Sequence, residues 1–247
     1  TTDIAANTTD IAAVDTIPGL SDYLTVDDTT NTVQFIGANV QLMSGSGDTE
    51  GATNGLGNLI IGYNETYTDD DPVVVHSGSH NLVLGTYQNY TSYGGIVQGT
   101  GHQIEAPHAS AIGGHDTRVF ASSAVAIGGE ENLIQSDANY AVAVGGGYNT
   151  LSGLTSSIMG AWRSQTGAKG SSISGGAYNE ANGIFSSISG GEQNVTAAYA
   201  ASISGGFNSI TFGEYSSING GRNGRVDGNF ASISGGEAVY CRTGTCF

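Results

Sequence analysis

SSISGGAYNEANGIFSSISGGEQNVTAAYAASISGGFNSITFGEYSSINGGRNGRVDGNFASISGG, residues 171–236, repeats itself: its SSISGG-type hexapeptides start at 171, 186, 201, 216 and 231, a spacing of 15 residues without error. Asn often stands four residues after the first Gly of a unit (Asn149, Asn179, Asn194), and Gly eight after it (Gly153, Gly183, Gly213, Gly228). An aromatic often follows, as at Phe185, Tyr215 and Phe230. Towards the N-terminus the unit degrades but persists: SSIMGA at 156–161, YAVAVGG at 140–146, SAVAIGG at 123–129, ASAIGG at 109–114, GIVQG at 95–99, NLVLG at 81–85 and NLIIG at 58–62. Twelve units result, spaced by 14 to 17 residues except where TYTDDDPV is inserted between Gly62 and Gly85.

A unit this short cannot bury its own apolar face, so units must stack, each strand pairing with the strands above and below it. A strand of four or five residues with Gly or Asn at the corners, where φ > 0 is tolerated, fits one coil of a parallel β-solenoid. Helical repeats are excluded, because Gly recurs in every unit and each costs about 1 kcal/mol inside a helix. The expected fold class is all-β: a β-roll or β-solenoid of about twelve coils of 14–15 residues over 56–240. In VAIGG the apolar side chains stand first and third before Gly (Val125, Ile127; Val142, Val144), whereas in SISGG the middle one is apolar (Ile173, Ile188, Ile203, Ile218, Ile233). Successive side chains alternate faces. One face must therefore fill the narrow core, and the other meets solvent or neighbouring subunits.

The 247 residues include 40 Gly and only 11% charged residues, unlike an ordinary globular chain, yet the regular apolar runs separate it from disordered sequence. Net charge is −16, and Arg118, Arg163, Lys169, Arg222, Arg225 and Arg242 are scattered. Nucleic acid, which needs a basic footprint, is excluded as a partner, and attachment to anionic lipid is disfavoured. No run of about 18 apolar residues is present, so no direct membrane insertion by a helix is expected. Cys241 and Cys246 flank RTGT, where Gly244 lets the backbone turn back. A local disulfide in a C-terminal turn, 241–247, is favoured over two free thiols or metal ligation.

Ahead of the repeats, Ile4, Asn7, Ile11 and Val14 lie at spacings of 3, 4 and 3, an a/d seam over about two heptads. Residues 1–17 are thus read as the end of a longer trimeric coiled-coil stalk, stopped at Pro18-Gly19; a frayed tail is the alternative. Residues 18–55 alternate apolar and polar positions (Leu24, Val26; Val33, Phe35; Val40, Leu42) around a DDTTN turn, which predicts a small β-meander neck.

SAVAIGG at 123–129 and YAVAVGG at 140–146, separated by NxxxG-type corners, resemble the repeats in the heads of trimeric autotransporter adhesins, and DIAANTTDIAA resembles their stalks, with Asn at seam positions. The resemblance covers about residues 56–240 plus the first 17. It implies a left-handed parallel β-roll, three chains around a common axis, and extracellular display on a bacterial cell surface, where members bind host matrix or other cells. The implied partners are two further copies of the chain and a cell-surface glycan or matrix protein of a host or prey cell. Two departures stand beside it: the later coils replace SVAIG with SSISGG, and the membrane β-barrel of the family has no counterpart in GGEAVYCRTGTCF. Phage-type tail fibres share such Gly-punctuated runs and give an alternative reading.

No sequence feature calls for a cofactor or catalytic machinery. GxSxG, HExxH and Walker patterns are absent, and the glycines follow the coil period. Asp69, Asp70 and Asp71 with Glu65 suggest Ca²⁺ but lack a Gly-spaced ligand loop, and a solvated insertion is the better reading. His76, His80, His102, His108 and His115 fall in the first half of the repeats; a threefold axis would gather copies of one around a metal, with His115 beside Asp116 the best placed, but solvent-exposed corner positions explain them more simply. Glu130, Glu131 and Asp137 are the first carboxylates to test if the scaffold were a glycan hydrolase. Trp162 and Arg163 break the repeat where other units carry small or polar residues, which marks them as candidate ligand contacts or as cover for a subunit seam. Paired serines on successive coils (Ser172/Ser174, Ser187/Ser189, Ser202/Ser204, Ser217/Asn219, Ser232/Ser234) also resemble the hydroxyl arrays of monomeric ice-binding solenoids.

Overall fold

A computed structural model of the chain describes residues 19–20, 22–66 and 74–247. The seam residues Ile4, Asn7, Ile11 and Val14 and the Asp69–Asp71 run lie outside the described residues. The chain divides into two units, 1–42 and 43–247. Among the described residues every regular element is a β-strand.

In the first unit Leu24–Asp27 pairs antiparallel with Thr32–Phe35. The connecting turn is set by Asp27, whose Oδ1 accepts from the Thr29 amide at 2.9 Å and from the Thr29 hydroxyl at 2.5 Å, and by Asn31 at φ 52°. The Thr29 hydroxyl, with that of Thr30, holds the Asp27 carboxyl below its usual range. Val40 and Leu42, expected to extend the meander, lie in no strand. Gly37, at φ 68°, takes the chain out of the hairpin before it reaches them.

The second unit is a parallel β-solenoid built from two sheets, one of 13 strands and one of 11. Each of the twelve repeat units supplies a strand of the larger sheet, from Leu59–Ile61 to Ser232–Ile233, and Thr245–Cys246 adds the last. The smaller sheet takes a second, two-residue strand from each coil, from Asn89–Tyr90 to Tyr240–Cys241. The expected twelve coils thus become eleven complete turns, because Leu59–Ile61 is followed by the off-period insertion and has no second-sheet strand among the described residues. Residues 43–55 are tied to this unit: the Ser44 amide donates to His80 Nε2 and the Gly55 amide to the Ser77 carbonyl.

From Leu82–Thr86 onward the middle residue of each repeat strand points inward, in VAIGG as in SISGG. Val83, Val97, Ala111, Ala126 and Ala143 are followed by Ile158, Ile173, Ile188, Ile203, Ile218 and Ile233, all buried. Facing them is a second inner column on the smaller sheet: Tyr90, Ile104, Val119, Ile134, Leu151, Thr166, Ala181, Thr196, Thr211, Val226 and Cys241. The two columns compensate in size. Ala126 faces a coil-mate Ile134 and Ala143 faces Leu151, whereas Ile158 is matched by Thr166 and Ile173 by Ala181. Interior packing is close to crystal density, so in these four coils one large residue is matched by a smaller one, whereas Val97 stands with Ile104 and Ile218 with Val226 in others. The inward threonines satisfy their hydroxyls across the core, Thr166 Oγ1 on Ser156 Oγ at 3.0 Å and Thr196 Oγ1 on Ser186 Oγ at 2.8 Å. Thr211 Oγ1 is buried without a partner, because Ala201 holds the equivalent serine position.

A buried polar ladder runs beside this core, at the residue just before most of the second strands. Its side-chain acceptors take the amide of the next coil: Asn132 Oδ1 from Asn149 at 3.2 Å, Asn149 Oδ1 from Ser164 at 2.9 Å, Ser164 Oγ from Asn179 at 3.1 Å, Asn179 Oδ1 from Asn194 at 3.0 Å, and Asn194 Oδ1 from Ser209 at 3.1 Å. The Asn amides donate forward as well, Asn179 to the Gly191 carbonyl and Asn194 to that of Gly206. Backbone groups at the corner that would otherwise be buried unpaired are satisfied in this way. The same ladder fixes the glycines: a Cβ on Gly176, at φ 81°, would collide with the carbonyl oxygen of Gly191.

Cys241 and Cys246 form a disulfide, with Cα atoms 5.8 Å apart. Cys241 pairs in register with Val226 and Cys246 with Ile233. The bridge therefore crosses between the two inner columns on the last coil.

Candidate functional site

Two corners per coil are turned by residues in the left-handed region. At the corner preceding the second strand, three successive coils place Tyr148, Arg163 and Tyr178, with φ of 57°, 48° and 54°. The first residues of the strands that follow, Thr150, Gln165 and Glu180, are in register with one another on the outer face of the smaller sheet. Corner side chains form a wall and strand side chains a floor. Between them lies an open groove of about 240 Å³ lined by Tyr148, Thr150, Arg163, Ser164, Gln165, Tyr178 and Glu180.

The wall is braced from behind. Tyr148 donates its hydroxyl to Glu130 Oε1 at 3.1 Å, which pushes its ionisation up. Trp162 meets the Tyr148 ring edge-on at 4.9 Å between centroids. The Arg163 guanidinium lies over the Tyr148 ring, 5.4 Å from its centre. Arg222 and Arg225 pair with Glu237 and Asp227; Arg163 has no such ion pair among the described residues. On the floor, Glu180 Oε2 accepts from Asn182 Nδ2 at 3.1 Å. The groove thus presents aromatic rings, one uncompensated cation, an amide, a hydroxyl and a carboxylate within three coils.

Of the two residues singled out in the sequence, Arg163 lines this groove and Trp162 does not. Trp162 is 40% exposed and lies against Gly147 of the preceding coil, where any Cβ would strike its ring. It supports Tyr148. Tyr148, Tyr178, Gln165 and Glu180 were not singled out, although wrapping the sequence at its 15-residue period aligns them.

The other candidates disperse. Glu130 is engaged by Tyr148 and lies 3.8 Å from His115 Nε2, while Glu131 and Asp137 are exposed. His76 stacks on Tyr90, His80 bonds the Thr49 carbonyl, His108 pairs with Glu50, and His115 pairs with Asp116. His102 departs from the expected exposed corner: it is fully buried and serves as a rung of the polar ladder, its Nδ1 accepting from the Thr117 amide at 3.2 Å. Burial holds its imidazole below the usual histidine range; the carbonyls of Gln98 and Gly113 oppose this but are not aligned to bond Nε2, which has no partner. Among the described residues no three His, Cys, Asp or Glu are grouped to hold a metal.

No family model, curated protein or solved structure matches this chain. Function must therefore be read from its surfaces. The outer face of the larger sheet is apolar in the early coils, through Leu59, Ile61, Ile96, Ile127, Val142 and Met159, with Ile127 45% and Met159 48% exposed. From Ser172 onward the same positions are serine or asparagine. A second exposed row follows a corner of the later coils, where the rings of Phe185, Tyr199, Tyr215 and Phe230 succeed one another at 5.8, 5.4 and 5.2 Å.

Proposed function

We propose that this repeat protein is a non-catalytic structural and adhesive fibre segment, acting as a homotrimer on the outside of a bacterial cell and attaching it to glycan or matrix protein on host or prey cells. The observation that supports this reading best is the apolar outer face from Leu59 to Met159. Branched side chains aligned over successive coils are costly to leave in water, and a contiguous patch of this kind is the usual mark of a subunit contact. The number three comes from the resemblance to trimeric autotransporter adhesin heads. Cys241–Cys246 accords with an oxidising, extracellular setting. Light scattering tests the assembly: the expected mass is three times the 25.0 kDa of one chain, and serine at Ile127, Val142 and Met159 should lower it. Beads coated with the protein should adhere to cells, and beads that do not adhere remove the adhesive part of the reading.

The serine ranks on the later coils favour one other reading, a monomeric solenoid that orders ligand or ice on a flat hydroxyl surface. A mass of one chain together with thermal hysteresis in freezing assays would establish it.

A further inference from the structure

We infer that the groove walled by Tyr148, Arg163 and Tyr178 and floored by Thr150, Gln165 and Glu180 is a binding site for a neutral pyranose unit of an extended glycan. This rests on the adhesive reading and names the ligand class and the place. The groove is on the smaller sheet, so covering the apolar face of the larger sheet leaves it accessible.

The lining supplies what a sugar ring requires. A pyranose has an apolar C–H face and a rim of hydroxyls that each donate and accept. Tyr178 is 44% exposed and stands in no ring pair among the described residues, which leaves a face open for the C–H side. Glu180 and Gln165 accept and donate along the floor, one coil apart, and coils follow at about 4.8 Å, comparable to the advance of one sugar ring along an extended chain. Arg163 supplies fixed donors that are not neutralised by any carboxylate of the described residues. The volume of about 240 Å³ admits one ring and its hydroxyls, with the rest of the glycan lying along the open ends. Charge selects against acidic sugars. Glu180 lies in the groove, Glu130 stands behind the wall, and the chain carries −16 overall, against the single cation Arg163.

The corner positions also provide clean variants. The residues equivalent to Arg163 and Tyr178 in later coils are Gln193, Asn208, Asn223 and Ala238, and Asn208 and Asn223 hold the left-handed region at φ 51° and 55°. Asn tolerates that conformation better than bulky residues, so Arg163→Asn and Tyr178→Asn leave the fold intact, checked by an unchanged melting temperature. An oligosaccharide array followed by calorimetry on the intact protein should show binding to a neutral oligosaccharide, weakened at least tenfold in the double variant. Equal binding by the double variant overturns the site. Binding confined to sialylated or uronic glycans, strengthened by Glu180→Gln, overturns the ligand class and with it the proposal. Adhesion of coated beads to cells without binding of any neutral glycan also overturns the proposal, while leaving the adhesive reading standing.

Discussion

The coils of residues 110–151 and those of residues 157–234 share one backbone path and divide their side chains in opposite ways. In the earlier set Ala126 and Ala143 face inward on the larger sheet, Ile134 and Leu151 fill the core from the smaller sheet, and Ile127 and Val142 face outward. In the later set Ile173, Ile188 and Ile203 fill the core from the larger sheet, Ala181, Thr196 and Thr211 yield space opposite, and after Met159 serines face outward. In most of these coils a large residue in one column meets a smaller one in the other, so the residue at any one position is free to change. The outer face is free of that constraint, and it too changes from apolar to hydroxylated.

Breaking the core of the later set should have the largest effect. Ile188→Ala removes the large member of its coil opposite Thr196 and should lower stability by about 2–5 kcal/mol in urea unfolding. The reverse error comes next. Ala126→Ile places two large residues across one coil and should cost about 1–3 kcal/mol, most of it recovered when Ile134→Ala is added. Failure of the second change to compensate would show that the columns are not coupled.

The third test compares rungs of the polar ladder. Burial keeps His102 neutral below its ordinary 6.5, so the unfolded chain binds a proton before the folded chain does. The contribution of this group is complete above the unfolded value and is lost as pH falls through the window down to the folded value. His115 and Asp116 act on the same imidazole in opposite senses, His115 against the proton and Asp116 for it. The wild-type melting temperature should therefore fall more steeply on acidification than that of His102→Asn, which carries the rung used at Asn132 and Asn149. The smallest effect concerns a single hydroxyl. Ala201→Ser gives Thr211 the partner that Ser186 gives Thr196, and should raise stability by about 0.5–1.5 kcal/mol.

The larger sheet was legible because its inward residue and its glycine corner repeat together: NLVLG, VAIGG and SISGG each begin a strand at the expected place. The smaller sheet was not. Its strands are two residues long, and their inward member runs from Tyr90 through Leu151 to Ala181, varied because it complements the opposite column. The apolar positions of VAIGG and SISGG looked out of phase for the same reason, since small Ala126 conceals the inward position that Ile173 makes plain. In the groove, Arg163 was visible as a break in the repeat, next to Trp162, whose bulk drew notice but serves to brace Tyr148. Tyr178, Gln165 and Glu180 have ordinary corner and strand identities; only their stacking on Arg163 makes them a site. The Cys241–Cys246 pair was readable from its four-residue spacer, whereas its place across both inner columns was not.

The polar ladder also governs how such a chain would bear load. Each rung joins one coil to the next and to no other, so a pull that peels the chain from one end meets the bonds of a single coil at a time. Releasing a coil of 15 residues frees about 50 Å of extended backbone. Tension is then relieved in steps of one coil, each ended by the next intact rung, and a tether built this way lengthens under force many times before it lets go.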